Sequence, residues 1–252
     1  MQLLRSNPNA AATLFAGWEE TMLWSCLQGI MGNIYADQAE HPSCAMACLG
    51  DFCFFAGKPQ PIPMKLFPGE FRILVPQHPG WEKQIEQDFG PHIRPTVRYA
   101  TQKDPTAFQH KLLRKALEAL PDGYELRRID KDLYQRCLQL PWCRDFVVQY
   151  PEYPFYRQYG LGVVMLHQDE IRAGASSYSS YQGGIEIEVD TLPAFRRQGL
   201  AYLCCAKLIS DCLDRGWYPS WDAQNLESLA LAQKLGYRFS HTYPVYEYRR
   251  RS

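Results

Sequence analysis

The most regular alternation of apolar and acidic positions in the chain occupies residues 185–190. An apolar residue at every second position is typical of a strand with one buried face, so three carboxylates project from the other face. Pro193 ends this strand, and apolar residues then recur at helical spacing through residues 200–213. The pattern predicts a strand, a loop and a helix in that order.

The rest of the C-terminal half predicts strands interrupted by short helices. The predicted strands are residues 124–129, 159–167, 170–181, 238–243 and 245–249. The predicted helices are residues 131–138, 145–150 and 225–235. Because a strand–helix–strand crossover starts at residue 185, we expect one parallel strand pair among antiparallel ones. The predicted fold class is α/β (α+β), with a mixed twisted sheet and helices on both faces.

The N-terminal half has the pattern of a smaller folded α+β unit. Its predicted helices are residues 9–27, 80–90 and 108–120, and its predicted strands are residues 33–36, 44–55, 71–75 and 96–100. Pro121, Asp122 and Gly123 form the clearest turn in the middle of the chain. We therefore predict two domains, residues 1–120 and residues 121–252.

Charge and hydropathy exclude several classes of function. The 252 residues have a formal net charge of zero, and Lys and Arg form no sustained run before residues 249–251. This argues against the basic field that nucleic-acid binding needs. The chain has no apolar stretch of about 18 residues and no secretory signal pattern. We expect a cytoplasmic protein that acts on small molecules, without a nucleic-acid or membrane partner.

The cysteine count adds little chemistry. The nine cysteines are scattered and odd in number, and Cys44, Cys48 and Cys53 do not form the paired spacing of a zinc site. We interpret them as small buried hydrophobic residues in a reducing compartment, and we expect no metal.

The loop before the helix at residues 200–213 carries the clearest chemical signal. Residues 196–201 read Arg-Arg-Gln-Gly-Leu-Ala. The first turn of a helix presents unpaired N–H groups and the positive end of the helix dipole, which favour an anion. Gly199 and Ala201 leave room for that anion to approach the backbone. The loop therefore predicts a pyrophosphate site.

Two sequence elements in order resemble the GNAT superfamily of N-acetyltransferases. Residues 196–201 match its signature Arg/Gln-x-x-Gly-x-Gly/Ala, with Pro193 at the expected place upstream. Asn225 and Ser228 then open a helix that ends in the Lys-Leu-Gly-Tyr turn of residues 234–237. The resemblance covers residues 122–250. The residues of these elements are also similar to those of the bacterial subgroup that includes the zwittermicin A resistance protein.

The resemblance implies acetyl-CoA as the co-substrate. The backbone around Asp190 would pair with the pantetheine arm and donate an N–H toward the thioester carbonyl, and the amides of residues 197–201 would hold the phosphates. Asn225 would contact the pantetheine arm, although a plain N-cap is the alternative. The predicted cofactor-binding residues are Val189, Asp190, Thr191, Arg196, Arg197, Gln198, Gly199, Leu200, Ala201, Asn225 and Ser228.

The candidate general bases are the three carboxylates on the signature strand. Repulsion among Glu186, Glu188 and Asp190 would raise the pKa of at least one of them, and we favour Glu188. The alternative is that they form salt bridges with Arg172 or Arg196.

The candidate general acid is less clear. Many members of the family carry a tyrosine where this chain has Ala232. A displaced phenol would have to replace it, and among the C-terminal tyrosines we select Tyr243 as a catalytic candidate. The alternative for each of these tyrosines is a packing role.

The expected function is transfer of an acetyl group from acetyl-CoA to a primary amine of a small polar molecule, an antibiotic or a metabolite. The alternatives are a non-catalytic acyl-CoA-binding module and, less favoured, acylation of proteins. We expect the N-terminal domain to close off the acceptor side of the site. An alternative is that this domain is a degenerate second copy of the GNAT fold. The protein could also form a homodimer. The aromatic segment at residues 150–159 would form a pocket wall or an interface plug.

Overall fold

The computed structural model describes residues 1–63, 66 and 71–250. The strands in chain order are β1 (Gln2–Leu3), β2 (Asn33–Ala36), β3 (Cys44–Leu49), β4 (Phe52–Gly57), β5 (Phe71–Pro76), β6 (Ile93–Thr101), β7 (Tyr124–Arg128), β8 (Gly162–His167), β9 (Glu170–Tyr181), β10 (Gly184–Thr191), β11 (Tyr218–Ser220), β12 (Asp222–Ala223) and β13 (Phe239–Arg249). The α-helices are α1 (Thr21–Leu27), α2 (Pro79–Phe89), α3 (His110–Leu117), α4 (Lys131–Gln139), α5 (Tyr153–Tyr159), α6 (Leu200–Asp214) and α7 (Leu226–Lys234). The chain folds as two compact units, Met1–Arg98 with Thr242–Ser252, and Tyr99–His241.

The first unit is built on a mixed sheet in the order β1-β2-β3-β4-β5-β13. Strands β2, β3 and β4 form an antiparallel series, and β5 pairs with β4 in parallel. Helix α2 buries Trp81, Ile85 and Phe89, which lie four residues apart and therefore share one face of the helix. An antiparallel series followed by a parallel strand also occurs in the second unit.

Two predictions for the first unit are wrong in their boundaries. The predicted strand at residues 44–55 is a hairpin of β3 and β4, because Gly50 adopts a φ of 54° and turns the chain between Leu49 and Phe52. The predicted helix at residues 9–27 is a 3₁₀ helix, Pro8–Phe15, followed by α1. The predicted four-residue spacing holds in α1, where Met22 and Cys26 are buried, but residues 16–20 are not helical.

The second unit contains a five-stranded sheet in the order β11-β10-β9-β8-β7. Strands β7 to β10 are antiparallel, and α6 crosses over so that β11 pairs with β10 in parallel. Helix α6 packs on one face of the sheet, where Ile185 and Ile187 join its core. On the other face, Phe146 contacts Gly174 and the hydroxyl of Tyr156 contacts Ser176. The predicted mixed sheet with helices on both faces is confirmed.

Three element boundaries in the second half differ from the prediction. Only a 3₁₀ turn, Arg144–Phe146, forms in the predicted helix at residues 145–150. Helix α5 follows with Pro154 in its first turn, so β8 starts later than predicted, at Gly162. The two predicted C-terminal strands are the single strand β13.

The two units divide at Arg98 and Tyr99, and the predicted boundary near residue 121 falls inside the second unit. Helix α3 packs against α6, which ties residues 110–117 to the second unit. Residues 242–252 return to the first unit, where β13 pairs with β5. The role of residues 1–120 in shaping an acceptor site stays a prediction.

The cysteines have the character predicted for them. All nine are free thiols, and Cys48 alone among them is half-buried rather than buried. Across the described ranges there is no group of three His, Cys, Asp or Glu that could hold a metal ion. Within the same ranges, every helix is too short or too polar to cross a bilayer.

Candidate functional site

The parallel pair β10–β11 opens after three residues. Gly184 to Glu186 pair with Tyr218 to Ser220, and beyond Trp221 the chain leaves β10 and pairs as β12 with β6. Strand β10 stays paired with β9 on its other side as far as Thr191. Among the described residues, therefore, no strand pairs with this edge of β10 after Glu186, and a gap separates it from β12.

Glu186 lies at the base of this gap. Its side chain is buried, and its Oε1 accepts a hydrogen bond of 2.7 Å from the backbone N–H of Asp222. The contact links β10 to β12 where their backbones separate. Glu186, which was predicted as a catalytic residue, thus holds β10 and β12 together.

A cleft of about 1020 Å³ continues from the gap. Ten of the eleven predicted cofactor-binding residues line it: Val189, Asp190, Thr191, Arg196, Arg197, Gly199, Leu200, Ala201, Asn225 and Ser228. The eleventh, Gln198, lines a neighbouring cleft of about 720 Å³. The larger cleft also contains residues that sequence reasoning missed: Phe195, Tyr202, Gln224, Glu227, Ala230, Leu231 and Lys234. Most of these flank the predicted motifs, so helical spacing from the motifs was the signal that could have found them.

The loop into α6 has the backbone of an anion site. Arg197 and Gly199 have φ values of 66° and 80°, both left-handed, and Gly199 is the N-cap of α6. A Cβ at Gly199 would meet no atom within 4 Å, so the backbone conformation rather than space requires glycine. No side chain caps the helix and no acidic residue lies in its first turn. Its N-terminal amides therefore face the cleft without a competing partner.

The two arginines of the loop have different roles. Arg196 donates to the carbonyl oxygen of Thr191 at 3.1 Å and forms an ion pair of 3.2 Å with Asp190. It fixes the loop against the end of β10. Arg197 has no hydrogen-bond or ion-pair partner among the described residues, so its guanidinium is available to an anion. The sequence alone could not rank these two residues.

Asn225 and Ser228 are used inside the protein as well as lining the cleft. Asn225 is the N-cap of α7, and its Oδ1 accepts a bond of 2.8 Å from the N–H of Ser228. The Oγ of Ser228 accepts a bond of 3.1 Å from the indole N–H of Trp221. The N-cap alternative for Asn225 is confirmed.

Two of the three carboxylates on β10, Glu186 and Asp190, make contacts within the protein. Asp190 pairs with Arg196, as the salt-bridge alternative predicted, whereas Arg172 pairs with Glu170 at 2.6 Å. Glu188 is half-buried and lies opposite Ser176 in the β9 register. It does not line either cleft.

Asp145 extends this acidic face, and the sequence analysis did not select it. Desolvation raises the pKa of the Asp145 carboxyl, the neighbouring charge of Arg144 lowers it, and the negative charge of Asp190 raises it again. The net direction is upward. Asp145 lies in the 3₁₀ turn Arg144–Phe146, which was predicted as helix. The sequence pattern around it therefore gave no indication of a functional residue.

Ala232 occupies the position at which the resemblance implies a tyrosine. Ala232 is completely buried in the core of the second unit, so this register of α7 points away from the cleft. Tyr243, the predicted catalytic tyrosine, belongs to the first unit and is not among the described residues that line either cleft. Among the described residues, Tyr202 is the tyrosine that lines the cleft, at the first turn of α6.

The aromatic segment at residues 150–159 has a packing role within the second unit. The hydroxyl of Tyr150 lies 2.7 Å from Ser180 Oγ, and that of Tyr156 lies 2.9 Å from Ser176 Oγ. Burial raises the pKa of both phenols, which keeps them protonated.

The chain is similar to known proteins over most of its length. A family model described as GNAT acetyltransferase matches residues 12–246. The match therefore extends far beyond residues 122–250, so the earlier limit of the resemblance was too narrow. The N-terminal half carries family pattern that the two signature elements did not reveal.

Three relatives illustrate the range of similarity. A GCN5-related N-acetyltransferase-like protein from Streptococcus suis is 44% identical, with a TM-score of 0.92 over 98% of this chain and 100% of that one. The uncharacterized N-acetyltransferase YdfB of Bacillus subtilis is 31% identical over 146 residues, 56% of this chain and 54% of that protein. The alignment thus spans about half the length of this curated relative. A GCN5-related N-acetyltransferase from Kribbella flavida, 15% identical with a TM-score of 0.53 over 83% of this chain and 88% of that one, shares the fold.

Proposed function

Because the chain belongs to the GNAT acetyltransferase family, we propose that it moves an acetyl group from acetyl-CoA to a primary amine of a small polar molecule. The observation that carries this proposal is the gap between β10 and β12, which leads directly to the uncapped N-terminus of α6. An extended arm with phosphates at one end matches that arrangement.

The pantetheine arm would add to the free edge of β10. Among the described residues, no strand pairs with residues 189–191 on that side. The Thr191 N–H and C=O already bond to Asp190 Oδ1 and to Arg196, so the amides of the arm would pair with the backbone nearer Val189. The phosphates would lie at the first turn of α6, with Arg197 as the cation. A backbone N–H of the same edge would stabilise the charge that develops on the thioester oxygen.

The transfer requires proton removal from the amine nitrogen and proton addition to the sulfur. The ammonium form of the acceptor first loses one proton, and the neutral amine nitrogen then attacks the thioester carbon. The carbon–sulfur bond breaks, the nitrogen loses a second proton, and the departing thiolate gains one. We assign Glu188 as the general base, acting through a water, because it lies on the acidic face next to the residues that line the cleft. Water would protonate the thiolate, since Tyr202 lies at the phosphate end of the cleft.

The acidic face also favours a cationic acceptor. Glu188 and Asp145 place carboxyl groups beside the gap, whereas Arg196 compensates the charge of Asp190. An amine in water carries a positive charge, which these carboxyl groups attract. An amino-bearing antibiotic or metabolite fits this charge. We propose that the protein acts in the cytoplasm.

A non-catalytic acyl-CoA-binding module is the second candidate. The burial of Ala232, where family members carry a phenol, favours it. Such a module would bind acetyl-CoA at the same cleft without turnover.

Incubation with acetyl-CoA and a library of amines distinguishes the two. We expect release of free thiol together with an amine product that gains the mass of one acetyl group. Binding of acetyl-CoA without thiol release for any amine would support the non-catalytic module. Absence of binding would contradict both.

A further inference from the structure

Two thiols lie against each other near the turn of the β3–β4 hairpin. Cys48 of β3 and Cys53 of β4 are direct partners across the two strands, and their sulfur atoms are 3.3 Å apart. Both residues belong to the first unit, whereas the residues that line the larger cleft belong to the second. The pair therefore concerns a property beyond the proposed transfer reaction.

The register of the hairpin brings the two backbones close together at this pair. In an antiparallel ladder, hydrogen-bonded pairs alternate with non-hydrogen-bonded pairs, and side chains approach more closely in the second kind. Lys58 donates its N–H to the carbonyl oxygen of Ser43 at 2.8 Å, which identifies the pair before Cys44 as a hydrogen-bonded one. Cys48 lies an odd number of residues further along β3, so it forms a non-hydrogen-bonded pair with Cys53. The Cα atoms of such pairs are about 4.5 Å apart, within the range of about 4.4–6.8 Å that disulfides span.

The two sulfur atoms differ in their access to solvent. Cys48 is half-buried, whereas Cys53 is buried in the core that α2 covers. Burial raises the pKa of the Cys53 thiol, so this thiol stays protonated at neutral pH. A small reagent therefore reaches Cys48 first and finds a second thiol directly behind it.

We propose that Cys48 and Cys53 form a site of reversible oxidation by hydrogen peroxide. The Cys48 thiol loses its proton, and the thiolate attacks one oxygen of the peroxide. The O–O bond breaks, the departing hydroxide takes up that proton to form water, and Cys48 becomes a sulfenic acid. The Cys53 sulfur then attacks the sulfenic sulfur, and its proton leaves with the displaced hydroxide as a second water. The two thiols thus lose two electrons to the peroxide, and a dithiol reductant reverses the reaction.

Other neighbouring cysteines do not combine these features. Cys137 and Cys143 also have interacting thiols, but both residues are buried, so peroxide reaches neither of them in the folded protein. Cys26 is buried, and its thiol donates to the carbonyl oxygen of Cys48 at 3.7 Å rather than to the sulfur. Contact between sulfur atoms together with access from solvent therefore selects Cys48 and Cys53.

Cys44 supplies a control within the same hairpin. It belongs to the same strand and the same core cluster as Cys48, but it lies opposite Gly57, which has no side chain. We therefore expect Cys44→Ala to leave the oxidation of Cys48 unchanged.

The test exposes the full-length Cys44→Ala variant to hydrogen peroxide, and the remaining thiols are then alkylated in denaturant. Cleavage before aspartate releases Cys48 in residues 37–50 and Cys53 in residues 51–87, each as the single cysteine of its peptide. We expect mass spectrometry to find these two peptides joined by a disulfide. Treatment with a dithiol reductant before alkylation should separate them.

Two further substitutions in the Cys44→Ala background test the order of the steps. We expect Cys53→Ala to stop at a sulfenic acid on Cys48, which a 1,3-dicarbonyl probe traps, and Cys48→Ala to give neither product. Peptides that stay unlinked after peroxide treatment would overturn the inference, as would a disulfide from Cys48 to Cys26 in place of the expected one. A sulfenic acid on Cys53 in the Cys48→Ala variant would also overturn it, because Cys53 would then be the residue that meets the peroxide.

Discussion

At the scale of single residues, the most specific position is Gly199. Its left-handed backbone forms the N-cap of α6 and its Cα faces open space in the cleft. We expect Gly199→Asp to weaken acetyl-CoA binding by at least about tenfold, because a carboxylate then stands where the phosphates bind. Calorimetry measures this directly.

Gly216→Asp is the matched control for this change. Gly216 also has a positive φ, 68°, and open space around its Cα, but it follows the other end of α6. Both substitutions carry a similar backbone cost of about 1 kcal/mol. Equal acetyl-CoA affinities for the two variants would remove the loop from the binding site.

Glu188 carries the chemical prediction at this scale. We expect Glu188→Gln to keep acetyl-CoA affinity and to lower kcat by about a hundredfold to ten-thousandfold, as loss of a positioned base does. Glu186→Gln and Asp190→Asn should have smaller effects, because these carboxylates already contact Asp222 and Arg196. A change in kcat of less than a few-fold in all three variants would exclude this face from the mechanism.

At the level of elements, an ion pair between the exposed Arg128 and the buried Asp211 joins β7 to α6. Asp211 is buried, and it accepts two hydrogen bonds of 2.9 Å from Arg128 and one from Lys207. Burial raises the pKa of the Asp211 carboxyl, but these cationic donors outweigh burial, and the net shift is downward. The folded state therefore binds the ionised form preferentially.

This shift predicts the pH dependence of stability. Since the folded-state pKa lies below the unfolded one, the contribution of Asp211 is complete at neutral pH and is lost as the pH falls below about 4. We expect Asp211→Asn to reduce the free energy of unfolding by about 2 kcal/mol at pH 7 and by less in acid. Thermal unfolding at both pH values checks this, and an equal loss at both would contradict it.

The sequence predicted those helices and strands whose spacing of apolar residues is regular. The strand at residues 185–190 and helix α6 follow from alternation and helical spacing. The hairpin at residues 44–55 was missed because Gly50 and Asp51 interrupt an otherwise continuous apolar run. The gap beyond Glu186 was not predictable, since it depends on pairing of Asp222 with Ala100, which are far apart in sequence.

At the scale of the whole molecule, the division into units predicts the behaviour of fragments. A chain of residues 121–252 lacks α3, which packs on α6, and lacks β5, the partner of β13. We expect this fragment to show no cooperative thermal transition, because apolar surface of α6 becomes exposed and β13 loses its pairing. A cooperative transition with retained acetyl-CoA binding would show that residues 121–252 are an independent domain.

We propose that acetyl-CoA lies in the gap between β10 and β12 with its phosphates at the first turn of α6. A crystal structure of the protein with acetyl-CoA would show this position. We predict density for the pyrophosphate within hydrogen-bond distance of the amides of residues 199–201, and for the pantetheine arm along residues 189–191. Density for acetyl-CoA elsewhere, with this gap empty, would rule out the proposed binding site.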